Sequence, residues 1–346
     1  MATYTPFTTG DTVDSIDRVF TSAWSGISPN NDLGASHFSS STQYVTTAAT
    51  SSGAFFMDIY STDPDNNTDA EVQYSIAYGN KMGSGSLVFS SGTGGEGFSA
   101  AKSIYGQYRN LVFGGDETQN FSFDGHTPDG IYIININRAR YKNAIRTGNL
   151  FLKIGNLELT DDSITTSGSA NAIRAGVGRE FNLVSGSNGV RFGSSNTYVT
   201  DSGSYGYVYP DAGFIILNQD ALDALEASNG TALATTGTST DGRNPVKLQD
   251  KLVTGASFIL DAQEDIASKY YFVRAKNQEF NYTTNDSFTE DDGTLKFDSM
   301  IDNPETYITT IGLYNDNQDL LAVAKLSQPL PKDFTKESLI KVKLDY

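Results

Sequence analysis

The sequence contains no cysteine, only two histidines and a single tryptophan among its 346 residues. Without cysteine there can be no disulfide, no thiolate nucleophile and no cysteine-ligated zinc or iron–sulfur site. His37 and His126 lie in predicted loops, far apart in the sequence. Because a catalytic triad or a zinc site needs several converging ligands, the sequence predicts no enzyme, no catalytic residue and no cofactor.

Long apolar runs are missing as well. The longest, such as residues 214–217, are much too short to cross a bilayer. Residues 1–7 do not show the basic region and apolar run of a secretory signal. The net charge of −17 repels nucleic-acid phosphates and anionic lipids. We therefore expect a soluble protein made in a cytoplasm, with neither nucleic acid nor a membrane as partner.

Glycine and aromatic residues are abundant: the chain has 33 Gly, 19 Tyr and 20 Phe. Aromatic and β-branched side chains suit a pleated, half-buried surface, and small polar residues suit the connections between strands. The composition predicts a mainly β protein of antiparallel, sandwich-like domains. One or two short α-helices and long loops rich in Gly, Ser, Thr and Asn complete this expected fold.

Hydrophobic periodicity locates the main elements. Alternation of Val72, Tyr74, Ile76 and Tyr78 with polar or small residues predicts a strand with one buried face. Helical spacing of apolar residues predicts a helix over residues 98–112. Asn218 as N-cap, with acids in the following turn, predicts a second helix over 218–227. Further strands are predicted at 54–60, 130–137, 149–154, 157–159, 180–184, 196–199, 206–217, 270–275, 307–314, 320–326 and 339–346.

These elements fall into three predicted domains. An N-terminal β-rich domain covers residues 1–129 and includes the helix near 98–112. A central β region, residues 130–255, contains a loop-rich insertion and the helix near 218–227. A C-terminal β domain, residues 256–346, has the strongest strand pattern, because its apolar runs are rich in β-branched and aromatic residues.

One acidic loop resembles a calcium-binding loop. Oxygen ligands occur at every second position in Asp63, Asp65, Asn67, Asp69 and Glu71. The glycine that normally occupies position 6 is absent, and a tyrosine stands at position 12 in place of a bidentate glutamate. The loop is therefore a weak calcium candidate, and a solvated acidic turn is the alternative reading.

A basic stretch is the one local reversal of the overall charge. Its cations Arg138, Arg140, Lys142 and Arg146 follow a predicted strand. They could dock on an acidic neighbouring subunit, or they could form an ordinary exposed face.

Acidic pairs are the remaining candidates for chemistry. A glycosidase pair must face across a cleft at a defined separation. In a chain with 41 acidic residues, we interpret Asp161-Asp162 and Asp291-Asp292 as solvated turns.

Four passages resemble known proteins. Residues 307–326, with the strings TTIGLY and LLAVAKL on either side of a turn, resemble a hairpin of phage tail-collar fibre and baseplate-associated proteins. Residues 104–111, 136–142 and 209–218 resemble virion structural proteins of T4-like marine phages. The resemblance implies a structural subunit of the tail or baseplate, such as a wedge or fibre-attachment component. It would reside in the virion, assembled in the host cytoplasm beside other virion proteins in many symmetric copies.

Other functions remain open at this point. The neck and the head decoration are neighbouring positions in a particle. The tyrosines and Asp/Asn loops would also suit a carbohydrate-binding adhesin or receptor-binding module, and a virion polysaccharide depolymerase would need a cleft lined with paired acids. Many loops on a β framework favour a subunit that works through surface area, since a stable interface needs on the order of 1,000 Å².

Overall fold

The computed structural model confirms the mainly β fold. It describes residues 4–24, 39–40, 56–60, 62, 64, 66–83, 100–155, 157–192, 204–223, 244–253, 257–283 and 285–346. Within them, strands account for 47% and helices for 13% of residues. The sheets are antiparallel, as the composition predicts.

The elements are numbered in chain order. The strands are β1 (Thr12–Ser22), β2 (Ser39–Ser40), β3 (Phe56–Tyr60), β4 (Val72–Asn80), β5 (Gly130–Ile136), β6 (Ala144–Ile145), β7 (Phe151–Ile154), β8 (Leu157–Asp161), β9 (Ala172–Arg174), β10 (Gly178–Ser187), β11 (Val190–Arg191), β12 (Gly206–Tyr209), β13 (Phe214–Asn218), β14 (Phe258–Ile259), β15 (Asp261–Ala275), β16 (Thr306–Tyr314), β17 (Leu320–Lys332) and β18 (Ser338–Asp345). The helices are α1 (Ala100–Phe113), α2 (Arg138–Tyr141), α3 (Gln219–Asp223), α4 (Asn244–Val253) and α5 (Ser299–Asp302).

The chain divides into two compact units. Unit 1 comprises Met1–Asp17 and Asp265–Tyr346, and unit 2 comprises Arg18–Glu264. The boundaries fall within β1 and β15, and so differ from the sequence boundaries near residues 129 and 255. The reason is strand pairing: β4 and β5, on opposite sides of residue 129, are neighbours in one sheet.

Unit 2 is built on a 12-stranded sheet. Its order is β14-β7-β8-β10-β12-β13-β5-β4-β3-β2, and β9 and β11 pair with β10. Alternate residues of β5 enter different cores: Ile134 and Ile136 join one, and Ile131 and Ile133 join the other. The sheet is therefore covered on both faces, which explains why its central strands are almost continuously apolar.

The sheet of unit 2 curls around the larger of these cores. Tyr74 in β4 and Phe258 in β14 lie far apart in the strand order, yet their ring centroids are 5.4 Å apart. Trp24 contacts both rings, at 5.8 and 4.8 Å. Its indole nitrogen donates a hydrogen bond of 2.8 Å to the carbonyl of Phe258. The only tryptophan thus joins distant strands of the curled sheet.

Helices cover parts of both faces of this sheet. α1 packs on β4 at Gly79, where an added Cβ would lie 2.9 Å from the backbone nitrogen of Tyr105. Only glycine permits this approach of helix and strand. α3 begins as predicted, because the Asn218 side-chain oxygen accepts hydrogen bonds from the amides of Asp220 and Ala221 at 3.1 and 3.4 Å. Residues 224–227 of the predicted helix lie outside the described residues.

Unit 1 is smaller and sandwich-like. The hairpin β16–β17 forms a two-stranded sheet, and β15 pairs with β18. Ile311 and Leu313 of the hairpin pack with Val342 of β18 in a compact core. The strands predicted at 307–314 and 339–346 are confirmed with small shifts at their ends. Those predicted at 270–275 and 320–326 are present but longer, as Asp261–Ala275 and Leu320–Lys332.

The structure departs from the sequence prediction at several elements, among them β1, α4 and β17. β1 carries charged residues at several positions and lacks a clean alternation, so its strand conformation depends on pairing with β15. α4 falls partly in a segment that composition predicts to be a loop. β17 continues through Pro329 and Pro331, where we expected it to end. Proline is tolerated because β17 is an edge strand of a two-stranded sheet, where a missing N–H need not break a ladder.

Candidate interaction surface

The predicted basic stretch lies in unit 2 and is matched by groups of the same unit. Arg138 stacks over the ring of Tyr141, with 4.7 Å from its guanidinium carbon to the ring centroid. The other cations form ion pairs: Arg140 with Glu71 at 3.0 Å, Lys142 with Glu264, and Arg146 with Asp261 at 3.1 Å. Their role in binding a partner stays a prediction, and these pairs show what a partner would have to displace.

The calcium candidate is described only in part. Asp63 and Asp65 lie outside the described residues. Asn67 accepts a hydrogen bond of 2.9 Å from the amide of Asp69 within a turn, and Glu71 is turned toward Arg140. Within the described ranges, no three His, Asp or Glu side chains converge as a metal ion would require. Calcium binding therefore stays a prediction.

His126 closes a tight turn in unit 2, whereas His37 lies outside the described residues. The backbone of His126 pairs with that of Phe123, and Nε2 of His126 lies 2.8 Å from Oδ2 of Asp220 at the start of α3. Both side chains are about one-third exposed, at 32% and 40%. The pair fastens the turn to the helix.

Two acidic groups of unit 2 correct the sequence interpretation. Asp161 and Asp162 are buried and are not solvated turn residues. Asp161 accepts hydrogen bonds from the amides of Gly148 and Ser163, and Asp162 accepts from both the amide and the side chain of Asn182. Burial raises the pKa of each carboxyl, Asp161 and Asp162 alike. Their oxygens hold loop backbone in place.

Glu180 is a further buried carboxylate that the sequence did not distinguish. Its two oxygens accept hydrogen bonds from Arg174, Asn171 and Tyr209 at distances of 2.8–3.3 Å. Burial raises the pKa of Tyr209 well above its ordinary value. A buried charge is tolerated only when it is paired and hydrogen-bonded, and this one is. The arrangement stabilises the centre of unit 2.

Unit 1 differs in that most of its large apolar side chains are exposed. Among the described residues of unit 1, the hydrophobic core has three buried members, Ile311, Leu313 and Val342. The exposed large hydrophobic residues of unit 1 are Tyr4, Phe7, Val13, Ile16, Phe280, Tyr282, Phe288, Phe297, Ile301, Tyr307, Tyr314, Leu320, Leu321, Val323, Phe334, Leu339 and Tyr346. Exposed apolar side chains that adjoin one another in a patch mark protein–protein contacts, whereas singly scattered ones do not.

One group of these residues lies on the solvent side of the hairpin β16–β17. We call Tyr314, Leu320, Leu321 and Val323 the outer-face cluster; all four are exposed. Tyr314 pairs with Leu320, and Val323 pairs with Gly312. Gly312 leaves room for the Tyr314 ring, because an added Cβ would lie 2.7 Å from the ring. β16 itself has no charged side chain. The cluster is an apolar, neutral surface.

A second exposed apolar residue, Phe280, lies in the turn of residues 277–281, which we call the Phe280 turn. Phe280 is 45% exposed and has a backbone φ of 56°. A bulky residue rarely adopts this left-handed conformation, which costs of order 1–3 kcal/mol. The strain is not offset by burial of the Phe280 ring.

The Phe280 turn is held by polar contacts from the hairpin. Nζ of the buried Lys332 donates hydrogen bonds to the carbonyl of Asn277 at 3.0 Å and to Oδ1 of Asn281 at 2.8 Å. A third bond goes to the carbonyl of Asp333 at 2.9 Å, and Thr306 donates to the carbonyl of Phe280 at 2.7 Å. A buried ammonium with these acceptors fixes the turn and presents the strained aromatic ring to solvent.

Sequence reasoning did not single out the outer-face cluster or the Phe280 turn. The cluster lies in strands whose apolar pattern predicts burial, and a positive φ at phenylalanine has no sequence signal. The resemblance of residues 307–326 did fall on the hairpin that carries the cluster.

Comparisons with known proteins add no assignment. No family model, no curated protein and no solved structure matches this chain. Among the described helices, none has the length and apolar character that a membrane crossing requires.

Proposed function

We propose that this chain is a structural subunit of a tailed-phage virion that acts through subunit–subunit interfaces. Its place would be the tail or baseplate, as a wedge or fibre-attachment component. The observation that carries the proposal is the exposed apolar surface of unit 1, beside a core with three buried members. A unit that buries so little by itself gains most by burying the rest against other chains.

The hairpin β16–β17 carries both the sequence resemblance and part of the exposed apolar surface of unit 1. Residues 307–326, whose sequence resembles tail-collar fibre and baseplate-associated proteins, form most of β16–β17. The outer-face cluster on this hairpin is apolar. β16 has no charged side chain, and β17 has two, Lys325 and Lys332. Interfaces are depleted of charge at their centre and enriched in aromatic residues, so the cluster has the composition of an interface core.

The Phe280 turn supports the same proposal through its strain. Backbone strain persists where the surrounding structure enforces it, and it concentrates at functional positions. An aromatic ring held rigidly in solvent loses little conformational freedom when it enters a partner's pocket. Aromatic anchors of this kind dominate the energetics of many interfaces.

Charge gives the chemistry of the partner. The segment between the Phe280 turn and β16 contains one basic residue, Lys296, and seven acidic residues. The acidic residues are Asp286, Glu290, Asp291, Asp292, Asp298, Asp302 and Glu305. A neighbouring subunit with an apolar pocket and a basic rim would complement this surface. Repetition around a symmetric tail would strengthen each weak contact by avidity.

The direct test is quantitative mass spectrometry of particles purified from an infected host that produces this chain. We expect the chain in many copies per particle, retained after washing at high salt. A nonstructural protein of the same lysate is the control for carry-over. Absence of the chain from clean particles would refute the proposal. Binding to a glycan array by the purified chain alone, with no incorporation into particles, would instead favour the carbohydrate-binding adhesin.

A further inference from the structure

Residues 4–10 form an irregular segment of unit 1 that lies against the hairpin β16–β17 and β15 of the same unit. The ring of Tyr4 meets the ring of Tyr314, a member of the outer-face cluster, edge-on with centroids 5.0 Å apart. The ring of Phe7 lies 5.4 Å from the ring of Tyr271. Both rings of the segment nevertheless stay exposed, at 44% and 40%. The structure thus shows one occupant of the apolar surface, which is this chain's own aromatic segment, and shows that it covers the surface incompletely.

The segment is anchored by hydrogen bonds at its C-terminal end, in the turn of residues 8–11. The amide and hydroxyl of Thr8 donate hydrogen bonds to Oδ2 of Asp11 at 2.9 and 2.6 Å. Asp11 is buried and pairs with Arg274 at 3.1 Å. Gly10 lies inside this turn, with nothing within 4 Å of an added Cβ. Residues 4–7 therefore extend from a fixed turn and depend on two ring contacts for their position.

Charge permits the segment to bridge two chains. Residues 4–10 carry no charged side chain, although the chain as a whole has a net charge of −17. The outer-face cluster is also neutral. Two copies could therefore meet here without bringing carboxylates together.

We propose that residues 4–7 of one copy bind the outer-face cluster of a second copy. Tyr4 of the first copy would contact Tyr314 of the second, and the same contact would be made in return or passed to a further copy. Exchange of an identical segment remakes the same contacts and is a low-cost route to association. In an assembly the effective concentration of neighbouring copies reaches about the millimolar range, which is similar to that of a contact tethered by a short chain segment, so exchange can compete with the intramolecular contact. This inference rests on the proposed function only for the presence of many copies.

The absence of cysteine allows a clean crosslinking test. Thr5→Cys and Asp316→Cys would be placed in separate, differently tagged chains, which leaves Tyr4 and Tyr314 intact. After mixing at high concentration, a short bismaleimide would be added and the products separated on a denaturing gel. We expect a crosslinked pair that contains both tags. Ile173→Cys, at a residue of unit 2 that is 82% exposed, replaces Thr5→Cys in the control and should reduce this product at least tenfold.

Two further variants complete the test. A chain with both Thr5→Cys and Asp316→Cys reports whether crosslinks form within or between molecules, and light scattering reports the mass. Tyr4→Ser with Phe7→Ser should weaken self-association at least tenfold, while the matched exposed change Ile173→Ser should not. Crosslinks that remain within one molecule at every concentration, or a chain that stays monomeric, would overturn the exchange. The presence of the chain in particles is measured separately by mass spectrometry, so failure of the exchange would not by itself refute the proposed virion function.

Discussion

The two units use aromatic residues in opposite ways. In unit 2, Trp24, Tyr74 and Phe258 are buried together where the curled sheet meets itself. In unit 1, Phe280 and Tyr314 remain at the surface. Hydrogen bonds from Lys332 hold the strained turn of Phe280, and Tyr314 contacts the ring of Tyr4. Under the proposed function, this difference corresponds to a division of work: the buried core of unit 2 would stabilise the fold, whereas unit 1 would keep apolar surface available for other chains. Each prediction below tests one side of this difference.

The largest effect is expected in the core of unit 2. Trp24→Ala removes a buried indole and its hydrogen bond to the carbonyl of Phe258. Truncation of a buried aromatic side chain costs about 3–5 kcal/mol of unfolding free energy. Urea denaturation followed by far-UV circular dichroism measures it. The control is Tyr307→Ala, at a residue that is 60% exposed in unit 1, which should change the free energy by less than about 0.5 kcal/mol. Equal losses would remove the distinction between the units.

The next effect concerns the buried ammonium of unit 1. Lys332→Met keeps the length of the side chain but removes the Lys332 donor from the carbonyl of Asp333 and from the side chain of Asn281. The carbonyl of Asn277 loses one of two donors and keeps the side-chain amide of Asn281 at 2.6 Å. Unsatisfied buried acceptors cost about 1–3 kcal/mol. Hydrogen exchange should show faster opening of residues 276–283, with unit 2 unchanged. The exposed Lys325→Met is the matched control, and unchanged exchange in Lys332→Met would show that the Phe280 turn does not depend on this residue.

A smaller effect of opposite sign is expected at Phe280. Phe280→Gly relieves a left-handed backbone, so we expect the unfolding free energy of the isolated chain to rise by about 1 kcal/mol. Incorporation into particles should fall, because the exposed ring is lost. Phe297→Gly is the control: Phe297 is similarly exposed and its ring packs edge-on against the ring of Phe288, so glycine should destabilise the chain. A stability loss in Phe280→Gly would mean that the ring serves the fold.

The smallest effect is expected from acid. In unit 1, hydrogen bonds from Thr335 and Lys336 lower the pKa of Asp333, and those from Thr8 lower the pKa of Asp11. A carboxyl whose pKa is lower in the folded chain than in the unfolded chain stabilises the fold at pH values above its unfolded pKa of about 4. This stabilisation is lost as the pH falls through the folded pKa. In unit 2, burial raises the pKa of Asp161 and Asp162, so protonation there favours folding.

Acidification from about pH 5 to pH 3 should therefore weaken unit 1 before unit 2. Hydrogen exchange resolved by segment would measure the order of opening. The cationic partners of these carboxylates, Arg274 and Lys336, are exposed at 63% and 53%, so solvent and salt screening keep the effect small. Earlier opening of unit 2 would show that other carboxylates, such as Asp211 with its lowered pKa, control the acid response.

Much of the fold follows from local pattern. The alternation in β4 and the continuous apolar runs of β5 and β13 predict strands, because a pleated sheet places successive side chains on opposite faces. Asn218 predicts the start of α3, because its side chain replaces a missing backbone acceptor. Residues such as Asp161 resisted prediction, because burial of a carboxylate depends on amides brought near it by other strands.

By itself, the sequence determined the mainly β class, most strand positions and the absence of cysteine. Only the tertiary structure decided that strands on both sides of residue 129 share one sheet, that the basic stretch is matched by carboxylates, and that Phe280 stands strained and exposed. The physical reason is that local pattern fixes the direction of each side chain along its own strand. Which side chains find partners, and which remain at the surface, depends on contacts between residues far apart in the sequence.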